Sequence, residues 1–226
     1  MPNILAIETS SELASVALLH HGQLISREAS GVQTHSQTVL PMVQALLAQA
    51  GMSLSDCDAI AFGAGPGSFT GVRTACGVGQ GLAFGADLPV VPVVTLLSMA
   101  AACREACNAT EVLVMLDARM DEVYWAQYRY QDGWQVVTAP VLSAPTEVKV
   151  TGTATVCGNG LTAYPTAFEG WKETLPGIVP HAAQIARLAE SEFIAGRTVK
   201  AHEAQPIYLR NKVALTTAER MAKVAA

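Results

Sequence analysis

The strongest constraint on this chain is a pattern that occurs twice. Residues 4–7 form a short apolar run that stops at an acid, Glu8. Residues 15–19 form a second run, and Gly22 turns the chain into a third, 23–29. The same order returns 109 residues after Glu8: residues 112–116 are apolar and stop at Asp117, residues 123–130 follow, and Gly133 turns into 134–138. Runs of this length bounded by turn residues read as strands. Each half therefore starts as strand, acid, hairpin and third strand. The likeness is one of pattern, not identity. A repeated unit of this size predicts two lobes of related construction, with the boundary near residues 107–111.

Helical periodicity fills the space between the strands. Val39, Met42, Val43, Leu46, Leu47 and Ala50 recur at helical spacing, and Gly51 ends the run, so a helix is expected over 36–50. A buried strand at 58–62, a glycine turn at 63–67, a helix at 70–85, a strand at 90–94 and a helix at 96–106 complete the first half. The second half offers a glycine turn at 158–160, a helix over 181–195 and a last short helix at 216–225. The expected class is α/β: a first lobe over 1–107, a second, reduced lobe over 108–205 and a tail over 206–226, each lobe a ββαβαβα unit on a mixed sheet.

Of the 226 residues half are hydrophobic and 15% charged, enough for a sizeable core and unlike a disordered chain. The start lacks a basic n-region and meets Glu8 early, so it does not read as a signal peptide. The longest apolar run, 88–103, contains Pro89 and Pro92 and falls short of the roughly 20 residues a spanning helix needs. A cytoplasmic protein is expected. The five cysteines (57, 76, 103, 107 and 157) include no CxxC pair and read as small buried apolar residues.

The net charge of −5 argues against an independent nucleic-acid binder. Charge is uneven, though: residues 187–226 hold seven of the 14 Lys and Arg and carry +3, leaving −8 elsewhere. That segment reads either as a solvated helical face or as a basic tail that helps a partner hold RNA.

Several places could carry chemistry. Gly63-Ala64-Gly65-Pro66-Gly67-Ser68-Phe69-Thr70-Gly71 follows a strand and opens a helix, a junction whose amides can bind an anion, and Ser68 or Thr70 can cap the helix. It is neither a P-loop nor a dinucleotide fingerprint, and glycines also make tight turns without any ligand. The helix after it carries two series spaced by four: Gly71, Ala75, Gly79 and Ala83, and Gly77, Gly81 and Gly85. Each internal glycine costs about 0.5–1 kcal/mol relative to Ala. Close approach of another backbone, within the chain or in a partner, would offset that cost. His20, His21, His35, His181 and His202 include no helical i, i+4 pair, since Val39 follows His35, and no metal site is expected. His35 reads as a capping or surface residue. Glu8 and Asp117 end the first strand of each half; in a two-lobed ATPase such acids face each other across the cleft and hold hydrated magnesium. Thr9-Ser10-Ser11 would admit phosphates, whereas Ala118-Arg119-Met120-Asp121 would obstruct them. No GxSxG elbow or triad occurs.

These segments resemble a known family, TsaB, also called YeaZ. The matching pieces are Ile-Leu-Ala-Ile-Glu-Thr-Ser (4–10), Ser-Val-Ala-Leu (15–18), His35-Ser36 with Leu-Pro-Met-Val (40–43), Gly-Pro-Gly-Ser-Phe-Thr-Gly-Val-Arg (65–73), Asp-Ala-Arg-Met-Asp-Glu-Val-Tyr (117–124) and Pro-Ile-Tyr-Leu-Arg (206–210). They stand in the family's order and cover most of the chain. The resemblance implies an actin/Hsp70-like fold and a non-catalytic subunit without cofactor or metal of its own. With its paralogue TsaD and the ATPase TsaE it would serve transfer of threonylcarbamoyl from its adenylate to N6 of the adenosine beside the anticodon, in tRNAs reading codons that begin with A. TsaD holds its catalytic metal with an HxxxH pair, which this chain lacks at Val39. The resemblance also implies pairing through the first-lobe helices, hence candidate partner residues His35, Met42, Gly71, Arg73, Ala75, Val78, Gly79 and Leu82. A homodimer is implied for the chain alone, and contact with tRNA only through the complex. Glu8, Thr9, Ser10, Gly65, Gly67, Ser68 and Asp117 would be a vestigial nucleotide loop. The competing expectation is a small-molecule kinase or ATPase of the same superfamily.

Overall fold

A computed structural model of the chain describes residues 1–30 and 35–210. The first sheet is built from β1 (Ile4–Glu8), β2 (Ala14–His20), β3 (Gln23–Ala29), β4 (Ala59–Gly65) and β5 (Val90–Val94), in the order β3-β2-β1-β4-β5. β1 pairs antiparallel with β2 and parallel with β4, and β4 pairs parallel with β5. The second sheet is built from β6 (Glu111–Arg119), β7 (Glu122–Tyr130), β8 (Trp134–Ser143), β9 (Thr155–Cys157) and β10 (Thr174–Leu175), in the order β10-β9-β6-β7-β8. Here β6 pairs antiparallel with β7 and parallel with β9. In both sheets the first strand is central, with its hairpin on one side and parallel strands on the other. The pattern repeated in the sequence is thus a repeated topology.

Among the described residues five α-helices cover the sheets: α1 (His35–Ala50), α2 (Phe69–Ala86), α3 (Thr95–Cys107), the single turn α4 (Gly160–Ala163) and α5 (Ala182–Ile194). β1 and β4 are buried along their whole length because both faces are covered, which is why they read as unbroken apolar runs. Alternate residues of β1 serve different layers. Leu5 and Ile7 meet Val39, Val43 and Leu46 of α1 and Ala75 and Ala83 of α2. Ile4 and Ala6 meet Ala182, Ile185, Ala186 and Ala189 of α5.

The last contact crosses the expected boundary. α5 lies in the second half of the sequence but packs on the first sheet, while Leu96, Met99, Ala100 and Cys103 of α3 pack with Val112, Val114 and Leu116 of β6. A cut at 107/108 therefore separates the two sheets but not the two cores. Lobes drawn as 1–107 and 108–205 thus each borrow a helix from the other half.

Smaller differences have local causes. The strand expected at 58–62 runs on to Gly65, because Gly63 and Gly65 continue pairing with β5 across a bulge. Cys57, Cys76, Cys103 and Cys157 are buried as expected, but Cys107 is exposed at the end of α3, its thiol donating to the Cys103 carbonyl at 3.2 Å. The helix expected at 216–225 lies outside the described residues. Among the described residues no helix is long and apolar enough to cross a membrane.

Candidate functional site

Two corners, one at the end of each central strand, flank a cleft of ≈ 460 Å³ between the lobes. In the first corner Glu8 is fully buried. Its Oε1 accepts from the Ser10 amide at 2.6 Å, and its Oε2 accepts from Thr95 Oγ1 at 3.2 Å. Desolvation holds the Glu8 carboxyl above the ordinary value, and the hydrogen bonds from Ser10 and Thr95 oppose it. The carboxyl lies directly on the backbone of β4: a Cβ at Gly63 would stand 1.9 Å from Glu8 Oε2.

The loop after Glu8 then closes on the start of α2. The Ser68 amide donates to the Ser10 carbonyl at 2.7 Å, and Thr9 Oγ1 donates to the Gly71 carbonyl at 2.7 Å. A Cβ at Gly71 would stand 1.9 Å from the Thr9 carbonyl oxygen, and one at Gly67 2.6 Å from Ser10 Cβ. Ser68 caps α2 by accepting from the Gly71 amide at 3.4 Å. The room that the glycines leave is taken by the chain's own backbone, at the place where a phosphate would meet the helix N-terminus. This is the structural role of the glycine-rich segment, and it accounts for Gly67 and Gly71 without a ligand. His35 belongs to the same arrangement, its Nε2 lying 2.8 Å from the Ser11 carbonyl, so it ties α1 to this loop.

In the second corner Asp117 is engaged on all sides. Its Oδ1 accepts from the Tyr164 hydroxyl at 2.9 Å and the Arg119 amide at 2.8 Å, and its Oδ2 pairs with the Arg119 guanidinium at 3.0 Å. Burial, together with the bond to Asp117, pushes the Tyr164 phenol up to about 12. The Asp117 amide donates to Asn159 Oδ1 at 2.9 Å, which anchors the glycine turn. There a Cβ at Gly158 would stand 1.9 Å from the Met115 carbonyl. The turn after Asp117 has three successive non-glycine residues in the left-handed region: Arg119, Met120 and Asp121, with φ of 60°, 59° and 60°. Such a residue costs roughly 1–2 kcal/mol, so the turn needs support from outside itself.

In a two-lobed ATPase the acids that end the two central strands would face each other across the cleft. Here Asp117 lines the cleft and Glu8 does not. The lobes are instead bridged by Arg119 and Glu12 at 3.2 Å, an ion pair exposed enough to contribute little.

α2 has two distinct faces. Gly71, Ala75 and Gly79 are buried, with Ala75 fully covered and Gly79 against Ile60 and Phe62. The close approach of these three, expected at a partner, is made here to the chain's own Thr9–Ser10 loop and first sheet. Met42, Val78 and Leu82 are half-buried against the same core. Gly77, Gly81 and Gly85 face outward, where an added Cβ would meet nothing within 4 Å. Phe84 beside them is 82% exposed. Arg73 is also exposed; its guanidinium lies 3.6 Å from the centre of the Phe69 ring, and its Nε donates to the Tyr208 hydroxyl at 2.8 Å.

Sequence reasoning missed Tyr164, Asn159 and Tyr208 as members of these corners. No local pattern marks them, because their partners lie 47, 42 and 135 residues away.

Known proteins resemble this chain over most of its length. The family described as TsaD, tRNA N6-adenosine threonylcarbamoyltransferase, matches residues 23–159. The tRNA threonylcarbamoyladenosine biosynthesis protein TsaB of Haemophilus influenzae is 40% identical over 93% of this chain and 94% of its own length. That of Escherichia coli K12 is 39% identical over 93% and 96%. The solved structure of YeaZ from Pseudomonas aeruginosa superposes with a TM-score of 0.86 at 40% identity, covering 92% of this chain and all of that one. Near-full coverage on both sides, the duplicated sheet order and the shared fold lead to one conclusion: the chain belongs to the TsaB (YeaZ) family and has its two-lobed actin-like fold.

Proposed function

We propose that this protein is a non-catalytic subunit in the formation of threonylcarbamoyladenosine in tRNA, acting with a catalytic TsaD-type paralogue and a TsaE-type ATPase. The printed names of its relatives support the pathway. The observation that carries the non-catalytic part is the closed first corner. The Thr9 and Ser10 backbone occupies the start of α2, and Glu8 is sealed beneath it. A phosphate could enter only if that loop unfolded from Gly67 and Gly71. In the second corner Arg119 already neutralises Asp117. A small-molecule kinase or ATPase has no corresponding support.

The outward face of α2 suits pairing. Gly77, Gly81 and Gly85 let a second backbone come close, and Phe84 supplies an apolar anchor at their edge. Met42, Val78 and Leu82 support this face from beneath, and His35 and Arg73 stand near its start. The same face serves a TsaD-type partner in the complex and a second copy when the chain is alone. The protein reaches tRNA only through the complex and works in the cytoplasm.

Reconstitution tests this reading. Threonylcarbamoylation of tRNA by the TsaD- and TsaE-type proteins should require this chain. Gly81→Trp should leave a folded monomer that neither co-purifies with the TsaD-type protein nor supports the reaction. Turnover of ATP or substrate by the isolated chain would overturn the proposal.

A further inference from the structure

Residues 204–210 carry no helix or strand, yet they run from one lobe to the other. The start of the segment is fixed to the first lobe. The Ala204 carbonyl accepts from Gln80 Nε2 at 2.9 Å and from Cys76 Sγ at 3.6 Å, both on α2. The Ile207 amide donates to the Ala64 carbonyl at 2.7 Å. The Tyr208 hydroxyl accepts from Arg73, and its ring stands 6.1 Å from that of Phe69.

The end of the segment is fixed to the second lobe. Leu209 packs on the cluster around Leu116 and Tyr124. The Arg210 guanidinium donates to the Arg119 carbonyl at 3.2 Å, contacts Met120 Sδ at 3.2 Å and bonds the Glu122 carboxylate. Its side chain is only 14% exposed, and its Nε has no partner among the described residues. Arg210 therefore grips both ends of the left-handed turn at Arg119–Asp121, the part of the second lobe most in need of outside support.

We infer that residues 204–210 are a clasp that couples the Arg73 side of α2 to the β6–β7 turn across the cleft. The coupling follows from length. Two residues of extended chain reach at most about 7 Å, so Tyr208 cannot shift without drawing on Arg210. A protein that takes the exposed Arg73 guanidinium for itself must displace Tyr208 and so loosen the turn at Asp117. This last consequence rests on the pairing proposed above; the clasp itself does not.

Hydrogen exchange on the isolated chain, read by mass spectrometry, tests the clasp without any partner. Failure of pairing and failure of the clasp are thereby kept apart. Arg73→Ala alters an exposed side chain in the first lobe, so folding is not at stake. It should make amides of the turn over 117–123 exchange at least about threefold faster while β1, β4 and α5 keep their protection. Arg210→Lys, which keeps the charge but loses the forked grip, should reproduce the effect. In that background Arg73→Ala should add nothing. Faster exchange confined to α2 and residues 204–210 would overturn the proposal, as would a uniform rise over both sheets or an additive double variant.

Discussion

The two faces of α2 carry the same sequence device for different reasons. Both repeat a small residue every fourth position. Inward, Gly71 and Ala75 bring the helix against the Thr9 backbone and the first sheet, so the small residues are accounted for within the chain. Outward, Gly77, Gly81 and Gly85 touch nothing, and the propensity they forfeit has no return in the isolated protein. A spacing of four tells that something packs close; only burial tells what. The inward face belongs to stability, and the outward face is the one we propose for association.

That contrast can be broken or sharpened by substitution. The largest effect should come from Gly71→Ala, whose methyl would stand 1.9 Å from a backbone oxygen that cannot move without opening the corner. A loss of about 3 kcal/mol or more is expected in urea unfolding; a loss near zero would mean that the corner is loose. Ala75→Leu, at a fully buried site, should cost roughly 1–3 kcal/mol by overpacking. Gly77→Ala and Gly81→Ala should instead stabilise the monomer, by about 0.5–1 kcal/mol each. A destabilising result would place the outward face inside the fold.

Glu8→Gln probes the ground beneath the inward face through pH. The folded protein raises the Glu8 pKa above 4.5, so the fold favours the neutral carboxyl. Wild-type stability should therefore be greatest, as far as Glu8 is concerned, below 4.5, and should fall as pH rises through the folded pKa. The glutamine variant should lack that slope and gain on the wild type at neutral pH. Unfolding midpoints measured from about pH 4 to about pH 8, a range that starts near the ordinary glutamate value of about 4.3, check the sign. An unchanged slope would assign it to other groups.

Much of the fold was legible because it rests on local signals. The duplicated strand–acid–hairpin order and the 3.6-residue rhythm of Val39, Val43 and Leu46 needed no knowledge of tertiary contacts. The placement of α3 and α5 did need it, since an apolar helical stripe does not say which sheet it covers. Within the site, Glu8 and Asp117 were visible as strand-ending acids, but their fates were not. Burial of one and neutralisation of the other depend on Thr95, Arg119 and Tyr164, which no motif links to them. The two glycine series were visible as well. Their opposite orientations were not, because both share the same period.

The exchange of helices between the halves has a consequence for synthesis. When a ribosome has delivered residues 1–107, all five strands of the first sheet exist, but the surface bearing Ile4, Ala17, Ala61 and Val91 has no cover until Ala182–Ile194 emerges. Some ninety residues of translation therefore pass with that apolar surface bare, a span in which a chaperone, or the stalled nascent chain of a neighbour, has its best opportunity to bind.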